Sequence, residues 1–551
     1  MKKVMTKIVT LALVGGLSIC AAPFAAFAGE ADAENAASEE QVTTRTYATT
    51  TNGNVMGYCE NGVDSFYGIP YAKATRFHMP EAPDAWEGYK TCLMQGEVCP
   101  QNKTTMETFD FMAYSTEMVE NEETMLNLNV WTTNLDNKDG ELKPVIFWIH
   151  GGGYTTGGSL EKTLYDGANF AKNEDVVFIS ANHRLNVLGY FDLSAYGEEY
   201  ANSGNLGIAD LVFALEWVRD NAEYFGGDPN NVTIIGQSGG GSKVTTLMST
   251  PAAQGLFHKA VVWSGGSVAV KQTTEDTQAK AAEVLDILGI TEENIKDIET
   301  IDYTTLYAAY NEAGYSAGPT IDGDYIPTGT YEMSKDIPLL ASNVLGEFTT
   351  NIGNQIFATA TKELIESNDL SMMTEESVLA SLTEKYGDAD VAAQIIDAFK
   401  EAYPGHNVGE VLYINNREAG MSVMGLCEAM ESYGGTVYTS IQAASYPFFG
   451  GIVPIHTAGD VPLWFSNVSK IPAWVSGETA KFEALSKQMS DALAAFARTG
   501  NPSTEELTWE PWTSETDAIM VFDSTNGVTS SMRYHHEDAL FAAIPAGDSN
   551  S

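Results

Sequence analysis

A serine flanked by glycines stands near the middle of the sequence. Residues 236–240 read Gly-Gln-Ser-Gly-Gly, directly after a β-branched run at 231–235 and before a stretch that can be helical. In a G-x-S-x-G turn, small neighbours relieve crowding around a serine whose hydroxyl projects from the carboxyl end of a sheet. Taken alone, the pattern is also compatible with a glycine-rich strand-to-helix turn that contains an incidental serine. Ser238 is therefore a candidate nucleophile that needs support from a second feature.

A glycine-rich loop earlier in the chain supplies that feature. Residues 150–154 read His-Gly-Gly-Gly-Tyr after an apolar run at 145–149. Acyl transfer to a serine requires N–H groups aimed at the developing oxyanion, and glycines let backbone amides turn inward without an obstructing side chain. The predicted oxyanion donors are the amides of Gly152, Gly153 and Gly239. We expect His150 to support the backbone rather than to act as the base.

Alternating strands and helices must position these loops. The apolar runs at 144–149 and 175–180 are typical of strands buried on both faces, residues 208–225 have helical periodicity, and 231–235 form another strand. This alternation predicts an α/β fold with a central, mostly parallel sheet and helices on both faces. Asn-Gly pairs at 52–53 and 61–62 predict an N-terminal β-hairpin region. Residues 272–313 and 360–432 have the composition of helical insertions.

Composition and charge exclude several functions. The chain of 551 residues carries 29 Lys and Arg against 74 Asp and Glu, a formal net charge of −45. Such a surface repels phosphate backbones and anionic membranes, which argues against nucleic-acid binding and electrostatic membrane docking. With 44% hydrophobic and 19% charged residues, the chain can build a large core. We expect a globular protein.

The amino terminus predicts export. Lysines at positions 2, 3 and 7 precede an apolar stretch that ends in Ala26-Phe27-Ala28, which is typical of a cleavable signal peptide at residues 1–28. An uncleaved membrane anchor, or lipidation at Cys20, is the alternative. Residues 29–46 are small and acidic and predict a flexible leader. We predict one domain at 47–540, a tail at 541–551, and a secreted or extracytoplasmic location without stable membrane insertion.

The cysteines and histidines do not predict a metal or cofactor. Cleavage after residue 28 would leave Cys59, Cys92, Cys99 and Cys427, which permits two disulfides in an oxidising compartment but predicts no pairing. No C-x-x-C pair occurs, and the eight histidines lack the H-E-x-x-H spacing of a zinc site. No metal and no cofactor are predicted, and the sequence leaves the oligomeric state open.

A longer ordered pattern surrounds the two glycine-rich motifs. From about residue 50 to 525 the chain resembles the type-B carboxylesterase family, the α/β hydrolases that include cholinesterases and bacterial para-nitrobenzyl esterases. The matching stretches are FYGIPYA at 66–72, LNVW at 128–131, NHRLNVLGY at 182–190, GNLGIAD at 204–210, FGGDP at 225–229, LFHKAV at 256–261, PTIDGD at 319–324 and FARTGNP at 496–502. The resemblance implies an α/β-hydrolase fold and serine-dependent ester hydrolysis.

The resemblance also implies the other two members of a catalytic triad. The order in this fold is nucleophile, acid, histidine. The segment at 337–348 is similar to the family's strand and turn that carry a catalytic glutamate, which places the acid at Glu347. Asp322 is the alternative, although the family's Asp-Gly turn at that position is structural. The stretch at 455–465 resembles the family's histidine motif, with one extra residue before Asp460, and places the base at His456.

Supporting residues follow from the same resemblance. Ser264 matches a family position beside the triad and is expected to donate a hydrogen bond to the catalytic glutamate. Two buried ion pairs of structural character are implied, Arg184 with Asp210 and Arg76 with Glu123.

Two departures from the family bear on the substrate. Gln237 stands where the family usually has glutamate, and Gly239 where it usually has alanine. Gln237 removes a negative charge beside the serine, and the stretch between Cys99 and Met125 contains no tryptophan to stack on a quaternary ammonium. We therefore predict hydrolysis of uncharged or weakly polar carboxylic esters. A non-catalytic adhesion or binding module is the alternative, and amide or peptide hydrolysis would use the same residues.

Overall fold

A computed structural model describes residues 43–102, 116–135, 140–266, 270–347, 374–413, 416–447, 455, 458–525, 527 and 529–545, with the backbone alone at 413 and 416–422. The predicted signal peptide and residues 29–42 lie outside this part of the chain. The leader was predicted to extend to residue 46, but the first strand begins at Thr44, where Thr44 pairs with Cys59. The last helix, Asp538–Ala543, likewise crosses the predicted start of the tail at 541. Each element extends across a predicted boundary by a few residues, because composition does not reveal backbone pairing.

The core of the fold is a mixed sheet. Among the described residues it has 13 strands in the order β1-β2-β3-β5-β7-β6-β8-β9-β12-β13-β14-β15, with β4 beside β2. The strands from β7 to β14 are parallel to one another, and antiparallel strands flank them on both sides. The strands are β1 (Thr44–Thr50), β2 (Gly53–Glu60), β3 (Val63–Pro70), β4 (Tyr89–Thr91), β5 (Asn127–Thr132), β6 (Lys143–Ile149), β7 (Val177–Ala181), β8 (Gly227–Gln237), β9 (Lys259–Trp263), the small separate pair β10 (Gln272–Thr273) and β11 (Thr320–Ile321), β12 (Leu339–Val344), β13 (Val437–Gln442), β14 (Ala518–Phe522) and β15 (Ser531–Tyr534).

Helices cover both faces of this sheet. The α-helices are α1 (Ala168–Glu174), α2 (Asn186–Tyr190), α3 (Leu206–Asn221), α4 (Gly239–Met248), α5 (Thr274–Leu288), α6 (Tyr303–Glu312), α7 (Glu375–Tyr386), α8 (Ala389–Ala402), α9 (Asn416–Ser432), α10 (Val461–Trp464), α11 (Thr479–Thr499) and α12 (Asp538–Ala543). In β6, Phe147 packs into one hydrophobic cluster with α3 and α4, whereas Trp148 packs into the other with α1 and α11. Successive side chains point to opposite faces, so a strand buried on both sides must be apolar throughout. None of the described helices combines the length and the apolar character needed to cross a bilayer.

The architecture confirms the predicted α/β fold. The apolar runs predicted as strands are β6, β7 and β8, and the helical period at 208–225 is α3. Asn61 and Gly62 form the turn between β2 and β3 with φ of 53° and 81°, as a two-residue hairpin turn requires. The described parts of the predicted helical insertions are α5 and α6 in one, and α7, α8 and α9 in the other.

The topology also determines where functional loops can meet. Parallel strands end at the same edge of a sheet, and ligands bind at that carboxyl edge in open α/β folds. The strands β6, β8, β9, β12 and β13 are consecutive neighbours. The segments that follow them contain the glycine-rich loop, Ser238, Ser264, Glu347 and the segment of the predicted histidine. The described residues among the sequence-predicted site residues, which exclude His456, are therefore brought to one edge.

One of the two predicted ion pairs is confirmed. Arg184 and Asp210 are 1% and 0% exposed and form a bidentate pair, with Nε and a terminal nitrogen at 2.8 and 2.6 Å from the two carboxylate oxygens. The predicted pairing of Arg76 with Glu123 is wrong, because Arg76 binds the adjacent carboxylate of Glu122. Adjacent glutamates cannot be distinguished by charge, and only the local backbone decides which of them faces the arginine.

Arg184→Met should lower the free energy of unfolding by about 3–5 kcal/mol, because it leaves the carboxylate of Asp210 buried without its partner. Arg184 also donates to the carbonyl of His78 at 2.7 Å, and that bond would be lost as well. Arg219→Met is the matched control, since Arg219 and its partner Asp220 are 50% and 49% exposed; it should cost less than about 1 kcal/mol. Urea denaturation measures both, and equal losses would contradict the assignment.

A second buried charge cluster joins the helical insertion to the end of β14. His406 is buried, with Nδ1 at 2.7 Å from Glu410 and Nε2 at 3.0 Å from Asp523. Burial alone would lower the pKa of His406, but the hydrogen bonds to Asp523 and Glu410 outweigh it and raise that pKa to about 9. For Asp523, burial acts to raise the pKa, and the hydrogen bond with His406 lowers it to about 2. The cluster is therefore held by an imidazolium at neutral pH.

This cluster predicts a loss of stability on the alkaline side. Because the folded-state pKa of His406 lies above the unfolded value of about 6.5, its contribution is complete below pH 6.5 and is lost as the pH rises through about 9. We expect the difference in unfolding free energy between the wild type and His406→Gln to shrink by about 3 kcal/mol over that interval. Urea titrations at several pH values measure it, and a difference independent of pH would contradict the imidazolium.

The four described cysteines are free thiols in this structure. Cys99 is completely buried, and its sulfur accepts a hydrogen bond from the amide of Leu185 at 3.3 Å. Burial raises the pKa of the Cys99 thiol well above its usual range. A neutral, inert thiol at this position acts as a packing residue.

Candidate active site

Ser238 occupies a sharp turn between β8 and α4. Its backbone has φ of 56° and ψ of −125°, a conformation that L-residues rarely adopt. The amide of Ser238 donates to the carbonyl of Trp263 at 2.8 Å, which ties the turn to the end of β9. A Cβ on Gly265 would lie 2.2 Å from the carbonyl oxygen of Ser238, so the neighbouring loop packs directly on the turn. Backbone strain of this kind persists only where the surroundings enforce it, and it is concentrated at functional sites.

The glycine-rich loop lies against this turn. A Cβ on Gly151 would be 3.5 Å from the Cβ of Ser238, and one on Gly239 would be 2.4 Å from the Cα and the nitrogen of Gly153. Gly152 and Gly153 have φ of 84° and 61°, the left-handed region that favours glycine. Among the described residues, no acceptor pairs with the amides of Gly152, Gly153 or Gly239. Gly239 is the first residue of α4, where an intrahelical acceptor does not exist.

His150 supports the start of this loop. Nδ1 lies 2.9 Å from the carbonyl oxygen of Gly151, which can only accept, so Nδ1 carries the proton. The ring stacks on His183 with centroids 4.9 Å apart and planes 14° apart. Burial holds the pKa of both histidines well below its usual range, and the charge of Lys243 acts in the same direction. Both rings are therefore neutral packing elements behind the loop.

Glu347 follows β12 and is 5% exposed. Its Oε1 accepts a hydrogen bond from the amide of Val344 at 3.1 Å, which curls the side chain back towards the end of the strand. The alternative acid, Asp322, has one carboxylate oxygen engaged in its own turn and the other bound to the residue before α3. They accept from Asn205 Nδ2 and the amide of Ile326, each at 2.9 Å. Asp322 is thus a structural turn residue.

The predicted base, His456, lies outside the described residues. The described residues on either side of it are Ile455, whose amide donates to the carbonyl of Ala444 at 3.0 Å, and Ala458, which leads into α10. Ile455 itself therefore lies beside the chain that leaves the carboxyl end of β13, which neighbours the strand that precedes Glu347.

Asp460 adds a second buried acid to this region. The residue is 1% exposed, and its Oδ2 accepts a hydrogen bond from the indole of Trp464 at 3.1 Å. Burial raises the pKa of Asp460 to about 7, and the negative charge of Glu347 contributes to that shift. A negative charge at one of the two carboxyls therefore opposes ionisation of the other.

Ser264 and Gln237, the two further residues singled out near the serine, behave differently. Ser264 was expected to donate to Glu347, and that prediction is wrong: within the described residues its hydroxyl has no hydrogen-bond partner, while its amide donates to Ser342 at 2.8 Å. With the amide held in this way, the positive φ of Ser264, 45°, sets the direction in which its side chain leaves the backbone. Gln237 is 2% exposed and packs beside Gly151, so the residue before the serine is part of the buried wall of the site.

A cluster of possible metal ligands lies elsewhere. Asp517, His535 and Asp538 bring one ligand atom each within 4.8 Å of one another in the described part of the chain. Nδ1 of His535 already contacts Asp538 at 3.1 Å, and Nε2 lies 3.0 Å from the carbonyl of Glu515. The group is largely exposed, and both nitrogens of its histidine already have hydrogen-bond partners, so it does not resemble a preorganised metal site.

The sequence analysis did not single out Lys243 or His183, which lie behind the glycine-rich loop. Lys243 is completely buried five positions after the serine, on α4. No sequence signal marked Lys243, because a lysine in a short helix is normally exposed.

Comparison with known proteins agrees with this geometry. A profile of the Carboxylesterase family matches residues 38–540. The chain is 30% identical over 524 residues to a para-nitrobenzyl esterase of Bacillus subtilis (strain 168), covering 90% of this chain and 99% of the relative. It is 27% identical over 544 residues to a cocaine esterase of Homo sapiens, covering 90% and 91% of the two chains.

Solved structures show the same fold. An esterase from Clostridium hathewayi, described as able to hydrolyse aliphatic aromatic polyesters, superimposes with a TM-score of 0.77 at 33% identity, covering 91% of this chain and 99% of that one. A PNB esterase superimposes with a TM-score of 0.70 at 29% identity, covering 91% and 100%. The sheet with its helices is therefore an α/β-hydrolase fold. This chain belongs to the carboxylesterase family and is a carboxylic ester hydrolase.

Proposed function

We propose that Ser238, Glu347 and His456 form the catalytic triad of this esterase, with the amides of Gly152, Gly153 and Gly239 as its oxyanion hole. One observation carries the proposal: a strained serine lies against three amides that have no acceptor among the described residues. Gly239 is buried, and an unpaired buried amide is unfavourable unless a ligand or water satisfies it, whereas Gly152 and Gly153 are exposed and therefore open to a substrate. An oxyanion on the substrate bound to Ser238 would be such an acceptor.

The chemical steps follow from these positions. His456 accepts the proton of Ser238 as the hydroxyl oxygen bonds to the ester carbonyl carbon, and Glu347 orients the imidazole and stabilises its cation. The tetrahedral intermediate carries its negative charge on the former carbonyl oxygen, which the three amides bind. Cleavage of the ester C–O bond releases the alcohol with the proton from the imidazolium. Water then attacks the acyl-enzyme through the same base and releases the acid.

The surroundings of the serine favour uncharged or weakly polar esters. Gln237 contributes no charge to the buried wall beside Ser238, so a cationic ester gains no ion pair there. The formal charge of −45 repels anionic esters as they approach. Neutral substrates meet neither penalty. A non-catalytic binding role has no support among the relatives, which are esterases and hydrolases.

Export is part of the proposal. The basic start, apolar stretch and Ala-Phe-Ala end at residues 26–28 support cleavage of a signal peptide and release outside the cytoplasm. Amino-terminal sequencing should be applied to protein from the culture medium and to protein from the membrane fraction. We expect any chain recovered to start at Gly29. An intact amino terminus in the membrane fraction would indicate an anchor instead.

A fluorophosphonate probe tests the triad proposal. The probe forms a covalent bond only with an activated serine, so the wild type should be labelled at Ser238, as located by peptide mass spectrometry. Ser238→Ala should remain unlabelled, and loss of labelling in Glu347→Gln or His456→Ala would support their roles. Ester turnover with labelling at another serine would overturn the assignment, and a folded protein that is not labelled would favour a binder.

A further inference from the structure

Lys243 is a buried lysine in the helix that begins directly after the serine. It is 0% exposed, on the side of α4 that packs against the sheet. No ion pair joins it to a carboxylate within the described residues. A buried ammonium without a carboxylate is costly, so its other contacts must compensate for the lost hydration.

Its contacts bracket the glycine-rich loop. Nζ donates a hydrogen bond to the carbonyl oxygen of His150 at 3.1 Å and lies 5.8 Å from the centre of the Tyr154 ring. These two residues stand immediately before and after Gly151–Gly153. Tyr154 is also joined to α4 by a contact of 3.3 Å between its hydroxyl and that of Thr246. One side chain thus connects the helix of the nucleophile to both ends of the loop.

The hydrogen bond to His150 acts on a particular peptide group. The carbonyl of His150 and the amide of Gly151 belong to one plane, and Gly152 and Gly153 continue from it with φ of 84° and 61°. Glycines have shallow conformational preferences, so the shape of this loop depends on its hydrogen bonds, which include those from the amides of Thr155 and Thr156 to the carbonyl of Gly152. Fixing the first peptide plane therefore limits where the next two amides can point.

The titratable groups around Lys243 are consistent with this role. Burial lowers the pKa of Lys243 to about 7, and the more distant carboxylate of Glu161 opposes that shift. His150 and His183 face it as neutral rings, and burial raises the pKa of the Tyr154 hydroxyl to about 12. The amine donates to the His150 carbonyl in either protonation state, and the ammonium donates the stronger bond.

We propose that Lys243 is a positioning residue for the oxyanion hole, which holds the peptide group between His150 and Gly151 so that the amides of Gly152 and Gly153 face the carbonyl carried by Ser238. The inference rests on the proposed function, since it concerns the same amides. Lys243 does not touch the substrate. Its effect should therefore be confined to the state in which the oxyanion exists.

Lys243→Met tests this role, because methionine has a similar length and volume but no donor. We expect kcat for a nitrophenyl ester to fall about 10- to 100-fold, a decrease no larger than that caused by removing one direct oxyanion donor. KM should change by less than about threefold. The affinity for an arylboronic acid, which forms a tetrahedral adduct on the serine, should fall by a similar factor. Turnover is normalised to the fraction of enzyme that fluorophosphonate titrates.

Lys259→Met is the matched control. Lys259 is also a buried lysine whose pKa is lowered by burial, but it begins β9, at the amino edge of the sheet, and binds Asn231. Its removal should lower stability without changing kcat per titrated site or boronate affinity. This comparison separates a general cost of removing a buried lysine from an effect on the oxyanion hole.

The outcomes distinguish the two proposals. If the wild type is not labelled at Ser238, the proposed function fails before Lys243 is considered. If wild-type labelling succeeds but folded Lys243→Met keeps kcat and boronate affinity within twofold, the positioning role is overturned. Lys243→Gln, which retains a shorter donor, is the second variant. Failure of both variants to fold would also overturn it, because the lysine would then be required for folding.

Discussion

Ser238→Ala should lower kcat for a nitrophenyl ester by about 10⁵-fold or more, since loss of the nucleophile removes the acyl-enzyme route. The remaining rate would come from substrate binding beside the three amides. Ser249→Ala is the control: that hydroxyl is buried at the other end of α4 and donates to the carbonyl of Thr245 at 3.1 Å. It should affect stability and leave turnover nearly unchanged.

The same position predicts a gain in stability. Ser238→Gly should be as inactive as the alanine variant but should unfold with a free energy about 1 kcal/mol higher than Ser238→Ala, because glycine adopts φ of 56° without a Cβ clash. Urea denaturation of the two inactive variants measures this difference without interference from catalysis. Equal stability of the alanine and glycine variants would show that the turn is not strained in solution, and residual turnover above about 1% would remove Ser238 from the mechanism.

Much of the fold was predictable because its signals are local. Strands buried on both faces must be apolar throughout, which made β6, β7 and β8 recognisable, and the Asn-Gly pair at 61–62 specified a hairpin turn. Ser238 was recognisable for the same reason: a G-x-S-x-G turn needs its small residues at fixed spacing. Each of these features is encoded by a few consecutive residues.

The errors arose where distant residues compete for one partner. Whether Arg76 pairs with Glu122 or Glu123 depends on which neighbour the backbone turns inward. Whether Ser264 reaches Glu347 depends on the direction of its side chain, which the bond from its amide to Ser342 and its positive φ determine together. The burial of Lys243 was not visible either, because a lysine in a short helix is normally exposed. Sequence spacing gives the order of such residues along the chain, but their contacts are set by packing.

Replacing Gly239 by alanine should have the second large effect on turnover. The family usually has alanine at this position, but in this chain alanine should be harmful. The Cβ of alanine would lie 2.4 Å from the Cα and nitrogen of Gly153, whereas an ordinary contact is 3.4 Å or more. The loop must therefore move by about 1 Å, and a displacement of that size at a reacting centre costs about 100-fold. We expect Gly239→Ala to lower kcat by about 100-fold with little change in KM.

Stability should not account for that loss. Alanine is favoured over glycine in a helix by up to about 1 kcal/mol, and this gain offsets part of the cost of the contact with Gly153. The free energy of unfolding of Gly239→Ala should therefore stay close to that of the wild type. Gly241→Ala, in the same helix, is the control: its Cβ would lie 3.0 Å from a side-chain methyl of Val262, and the backbone atoms that it would meet are no closer than 3.3 Å. Because a methyl group can shift, this variant should keep kcat within about threefold. If Gly239→Ala turns over as fast as the control, then Gly153 does not lie against the start of α4, and its amide cannot be an oxyanion donor.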